Sequence, residues 1–130
     1  MTKIKKGSQE ETETIAKPVV LETATTDLRS HLEELKQHDE VIGYILRNSH
    51  SASIDVKDPT KIVDYAMLSS SALDAAEELS ELFNLGEFKK IVIEGVNVKV
   101  LSFIDGDNRV SVFLEKNADI SEFLKKLRIL

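Results

Sequence analysis

After Pro59 the chain runs to Phe83 without a glycine or a proline, and this uninterrupted stretch most constrains the fold. Asp58 is a suitable N-cap, and Pro59 at the first helical position loses no hydrogen bond that a helix needs. Gly86, just past the stretch, is a plausible terminator. The spacing therefore predicts one long helix from Pro59 to about Phe83. At about 100° per residue, Tyr65, Leu68, Ala72, Ala75, Ala76, Leu79, Leu82 and Phe83 make one continuous stripe, expected to pack on a sheet. The opposite side is divided. Val63, Ala66, Met67, Ser70 and Leu73 occupy its first half, and Glu77, Glu78 and Glu81 its second. The first half is expected to bury itself against a partner, because an uncovered apolar patch is an association liability. The glutamates are expected to stay solvated or to receive a basic partner surface.

Strand patterns flank this helix. Val41 to Arg47 is apolar on both faces and therefore central, and Ser51 to Val56 alternates, with Ala52, Ile54 and Val56 facing in. Asn48-Ser49-His50 joins the two as a tight turn. Phe88 to Glu94, Val98 to Ile104 and Arg109 to Glu115 are three further strands, linked at Gly95-Val96-Asn97 and at Asp105-Gly106-Asp107-Asn108. An initial helix starts near Thr25 with Leu28, Leu32 and Leu35 in register, and stops around His38-Asp39. A last helix, capped by Asn117 or Asp119, aligns Ile120, Phe123, Leu124 and Leu127. The order α-β-β-α-β-β-β-α with short hairpins predicts an α+β fold around a five-stranded antiparallel sheet. If the third strand lies at the sheet edge, Ile91, Val92 and Ile93 leave an apolar edge open to pairing, unless Lys89 and Lys90 block it.

Residues 1–24 read as a flexible tail, with four lysines balanced by four glutamates and little apolar surface to offset ordering. Residues 25–130 are expected to form one domain. The basic start lacks an apolar region and is not a secretory signal, and no run approaches the roughly 20 apolar residues of a membrane span. Without cysteine the chain has no disulfide or thiolate chemistry and fits a cytoplasmic protein. A net charge of −6 disfavours nucleic acid, which needs clustered cations.

Little else suggests chemistry. His31, His38 and His50 do not share metal-ligand spacing on one element, so no metal is expected. Ser69-Ser70-Ser71 lacks the glycines of a nucleophile elbow and suits close helix packing. Gly95 and Gly106 are isolated turn residues. No phosphate loop exists, so the chain is not expected to bind GTP or another cofactor. Arg47 and Arg109 stand at strand ends with no acidic partner evident. An enzyme is the weakest class, behind a small-ligand sensor.

The ordered runs Leu32-Glu33-Glu34-Leu35, Val41-Ile42-Gly43-Tyr44-Ile45-Leu46, Ala72-Leu73-Asp74-Ala75-Ala76-Glu77-Glu78-Leu79, Lys89-Lys90-Ile91-Val92-Ile93-Glu94-Gly95, Val98-Lys99-Val100-Leu101 and Arg109-Val110-Ser111-Val112-Phe113-Leu114 together resemble the roadblock family, related to dynein light chains, in its prokaryotic form. The turn Asn48-Ser49-His50 departs from the Asp-Gly type common there. The resemblance implies a profilin/longin-like fold and a homodimer in which the long helices pack together and the third strands pair. It implies a noncatalytic platform or regulator for small Ras-like GTPases, a motor or scaffold adaptor, or a partner for another roadblock or longin-type chain.

Overall fold

The hydrogen-bonded strands run in the order β2-β1-β5-β4-β3, every neighbour antiparallel. They are β1 (Val41–Arg47), β2 (Ala52–Val56), β3 (Ile91–Glu94), β4 (Val98–Asp105) and β5 (Asn108–Glu115). In this computed structural model residues 27–127 are described. Two units divide the chain, Met1–His31 and Leu32–Leu130. Of the first, the described residues are helical, and the sheet and later helices belong to the second. The expected tail, 1–24, and the expected start of the first helix at Thr25 lie outside the described residues. Helix α1 covers residues 27–36, α2 is Ile62–Leu82 and α3 is Ile120–Leu127.

One face of the sheet packs on α2. Its registered residues are Ile91, Ser102, Ser111, Ile45 and Ile54, followed by Ile93, Val100, Phe113 and Gly43. Tyr65 of α2 stacks on Phe113 with centroids 4.5 Å apart. Ala66 and Leu68 pack on the same cluster. The other face carries Tyr44, Leu46, Leu101, Phe103, Val110, Val112 and Leu114, all buried. Hydrogen bonds from Tyr44 to Glu33 and from Lys36 to Asp55 tie the end of α1 to this face. Lys99 Nζ donates to the Ala118 carbonyl at 2.9 Å just before α3, where Phe123 and Leu124 are buried.

Central β1 is apolar on both sides because both sides are covered, as its composition requires. β2 behaves differently from its alternation. Only Val56 is buried, Ala52 is exposed, and Ile54 is 41% exposed. The reason is lateral: α2 lies over β3, β4 and β5, so the rim beyond β1 stays open on that face, while Asp55 on the opposite face meets Lys36. β3 is also shorter than expected, Phe88 to Lys90 remaining outside it.

Asp58 accepts from Thr60 N at 3.1 Å and Thr60 Oγ1 at 2.7 Å, hydrogen bonds that hold its carboxyl below the ordinary carboxylate range. Pro59–Lys61 form a single 3₁₀ turn before α2 begins. The terminator is Asn84 rather than Gly86. Asn84 takes a left-handed φ of 54°, Leu85 N donates to Ser80 O at 2.9 Å, and Asn84 N to Glu81 O at 3.4 Å. This paired closure is a Schellman motif, and asparagine tolerates the left-handed position better than other side-chain-bearing residues.

Three hydroxyls cross the interface between α2 and the sheet. Ser69 Oγ and Ser102 Oγ each lie 2.6 Å from Ser111 Oγ, and all three residues are buried. Ser111→Ala is expected to cost about 1–3 kcal/mol, since it leaves two desolvated hydroxyls without their shared partner. Replacing all three serines with alanine should cost less than the sum of the single changes, because no hydroxyl is then stranded. Denaturant titrations of the four variants measure this coupling. Additive losses would refute it.

Candidate functional site

The candidate surfaces are the two flanks of α2, and contacts with the sheet set which flank faces which edge. Arg109 on β5 donates through Nη2 to Asp74 at 2.8 Å and through Nη1 to Glu77 at 3.0 Å. Arg47 on β1 donates to Ser70 Oγ at 3.0 Å. Both arginines point to the α2 side, so the Ser70–Asp74–Glu77 flank faces the β1–β2 side of the sheet. Leu68, Ala75 and Leu79, on the opposite flank, face the β3 edge. Arg109 thus has acidic partners that its place in the sequence did not disclose. Asp74 and Glu77 are well exposed, so these pairs orient Arg109 more than they stabilise the fold.

This geometry corrects the expected faces of α2. The buried residues are Ser69, Ala72, Leu73, Ala76 and Ser80, an arc turned by roughly 70° from the predicted stripe, at about 100° per residue. Leu73, expected at a partner interface, is 0% exposed within its own chain. Ala66 packs on the core cluster, and Ser70 is half-buried against Arg47. Val63 and Met67 do face solvent, at 68% and 65%. Conversely Leu79, Leu82 and Phe83, expected against the sheet, are exposed by 49%, 65% and 67%. The causes are rotation and reach: Leu79 and Leu82 lie on a flank of the buried arc, and β4 ends at Asp105, one residue past Ile104, which is level with Arg109.

β3 sits at the sheet edge, with one side bonded to β4 and the other unpaired among the described residues. Ile91 and Ile93 lie on the α2 side, level with Ser102 and Val100, and Val92 lies on the other. Ile91 and Val92 are half-buried and Ile93 is 38% exposed. The free edge of β3 and the Leu68–Ala75–Leu79–Leu82 flank of α2 therefore adjoin. Sequence reasoning missed this flank because it assigned those leucines to the core. The cluster Leu79, Leu82, Phe83 and Leu85, denser than a helix end needs, was the available signal.

Glu77, Glu78 and Glu81 are all exposed, but they do not act as one patch. Glu77 and Glu81 line a cavity of about 700 Å³ at the C-terminal end of α2, and Glu78 does not. Ser80, Asn84, Gly86, Glu87, Phe88, Ile104 and Gly106 complete its wall. Gly106 (φ 63°) supplies the first central residue of the β4–β5 turn, which needs a left-handed backbone. The β1–β2 turn clasps that hairpin from outside. Ser49 Oγ donates to Asp107 at 2.8 Å, and with the Ser49 N–H it holds the Asp107 carboxyl below the ordinary carboxylate range.

Ser70 is tied to Arg47, Ser69 lies in the buried hydroxyl chain, and Ser71 is exposed, so no nucleophile is assembled from the three. His38 packs edge-on to Phe123 at 6.0 Å, and His50 is exposed in its turn. Among the described residues no group of three or more histidines and carboxylates is placed to hold a metal ion, and no helix is long and apolar enough to cross a membrane.

No family model and no curated protein sequence matches the chain. Solved structures do. A Roadblock/LC7 domain from Streptomyces avermitilis superposes with a TM-score of 0.64 at 14% identity, covering 77% of this chain and 88% of that one. MglB of Myxococcus xanthus gives 0.63 at 15% identity, with 81% and 85% covered. MglC of the same organism gives 0.53 at 18% identity, with 78% and 91% covered. Identities this low speak for the architecture, and together with the strand order and the α2-covered face they establish that the chain has the roadblock fold.

Proposed function

We propose that this chain is a prokaryotic-type member of the roadblock family and works without catalysis, as a homodimeric platform that engages a small Ras-like GTPase. One observation carries the reading: an apolar flank of α2, with Leu79 and Leu82 exposed, runs beside the unpaired edge of β3. A two-fold axis perpendicular to the sheet at that edge joins β3 to β3 antiparallel and brings the two α2 flanks together on one face, which removes both liabilities at once. The interface so defined keeps Ile91, Val92 and Ile93. On the helix it uses Leu68, Ala75, Leu79 and Leu82 in place of Val63, Ala66, Met67, Ser70 and Leu73. Val63 and Met67 then remain outside the dimer, on the side a further protein reaches. Regulation on such a platform acts by surface complementarity, ordering the GTPase's own switch loops.

The mass of the full chain in solution tests the dimer. Wild type is expected at twice the chain mass and Leu79→Glu/Ile93→Lys at the chain mass, with unchanged circular dichroism, since both residues are exposed at least in part. A monomeric wild type, or a double variant that stays dimeric, refutes the interface. Pull-downs with purified small Ras-like GTPases in GTP and GDP forms test the partner. Failure with both forms favours a scaffold adaptor.

A further inference from the structure

The cavity at the C-terminal end of α2 belongs to neither the β3 edge nor the Val63–Met67 side. Its walls combine three carboxylates, Glu77, Glu81 and Glu87, with the apolar side chains of Phe88 and Ile104. Glu81 and Glu87 form no ion pair among the described residues, and Glu77 spends one oxygen on Arg109. Of the cations near the cavity, Arg109 has its two terminal nitrogens committed to Asp74 and Glu77, and Lys89 and Lys90, which follow Phe88, form no ion pair with these carboxylates among the described residues. The negative charge facing the cavity is therefore not neutralised from within.

A second observation is independent of that charge. Ser80 lines the same cavity and is 8% exposed, yet its hydroxyl has no hydrogen-bond partner among the described residues. The residue is packed against the fold while its oxygen stays open to solvent, so the hydroxyl is free to accept from an N–H group that enters the cavity.

The geometry points to a docking site in this cavity for an arginine-bearing segment of a partner protein. A guanidinium carries several donors in a fixed plane, so one group can serve a carboxylate and the Ser80 hydroxyl together. Its flat face and methylene stem suit Phe88 and Ile104, where a small hydrophilic cation gains nothing. A polypeptide fits better than a free amine because the apolar surface continues past the cavity: Leu85, next to the lining residue Asn84, is 67% exposed. The chain's charge of −6 adds long-range attraction for a basic partner. This site does not depend on the dimer or on a GTPase being the partner.

The test is fluorescence anisotropy of a short labelled peptide of alternating arginine, leucine and glycine, titrated with the full chain at low salt. Binding is expected, and Glu81→Gln/Glu87→Gln should weaken it about tenfold, as loss of close charge pairs does. Ser80→Val should weaken it several-fold at unchanged net charge. Glu78→Gln, on the same helix but outside the cavity, should stay within about twofold of wild type, the screened effect of one remote charge. A peptide with glutamine for arginine should not bind. An equal loss in Glu78→Gln would reduce the effect to general acidity and overturn the site. Absence of binding would overturn it as well. So would competition by arginine methyl ester as effective, mole for mole, as the peptide, which would make the site one for a small cation.

Discussion

Leu73→Glu is expected to abolish the folded state at room temperature, while Met67→Glu, six residues earlier on the same helix, should leave it within about 0.5 kcal/mol of wild type. Leu73 is 0% exposed, and Met67 is 65% exposed. At position 73 the substitution removes a packed side chain, worth about 2–5 kcal/mol, and adds a buried carboxylate with no cation to meet it. The total reaches the roughly 5–15 kcal/mol that holds a whole domain together. Circular dichroism melts of the two variants decide the matter. Equal melting temperatures would mean that α2 is rotated differently from the orientation set by Arg47, Arg109 and the buried serines. The contrast also bears on how dimerisation is probed: a glutamate at Leu73 would remove a dimer by unfolding the monomer, whereas Leu79 and Ile93 are accessible to substitution.

A second large effect is expected at Gly43, inside β1. In isolation, alanine would be favoured over glycine in a strand by about 0.5–1 kcal/mol, through the entropy of the unfolded chain. Here a Cβ would fall 2.5 Å from the Asp55 carbonyl oxygen and 2.7 Å from Val56 Cα. Both obstacles are backbone atoms of β2, so no rotamer change relieves the contact. Gly43 is registered directly opposite Val56, so the close approach falls within the β1–β2 ladder. Separating the strands sacrifices ladder bonds at the Gly43–Val56 end, and the net loss should be about 3 kcal/mol, at the upper end of overpacking costs. For a domain of this size that lowers the melting temperature by roughly 10–20 °C. Faster amide exchange in β2 than in β4 would locate the damage. A variant as stable as wild type would show that β2 does not approach β1 so closely.

These two positions mark how much of the molecule its residue order discloses. Gly43 stands in a strand that its run of Val, Ile, Tyr and Leu makes unmistakable, and periods of two and of 3.6 residues separate the five strands from the helices. Turn residues fix the hairpins: Gly106 takes a left-handed backbone, and the Asn48 side chain closes its own turn, Oδ1 accepting from His50 N and Ser51 N, both at 2.9 Å. These are local decisions, made within a few residues, and they also placed β1 at the centre and left β3 free for an edge.

The rotation of α2 was not of that kind. Apolar or small residues occupy nearly every direction around its axis, so several phases bury comparable surface, and the stripe of leucines at 79 and 82 was as good a candidate as the true arc. Tertiary contacts chose between them. The hydroxyl chain through Ser111 holds Ser69 inward with Leu73 beside it in the core, and Asp74 and Glu77 are thereby left at the surface, where they meet Arg109. Neither interaction leaves a trace in periodicity, because each joins residues more than thirty positions apart. The cavity at the end of α2 has the same origin, bringing Glu81, Glu87 and Ile104 together only once the sheet has formed. Local propensity determined which elements exist and in what order; long-range contacts, which act only in the assembled fold, decided which flank of the long helix is left exposed.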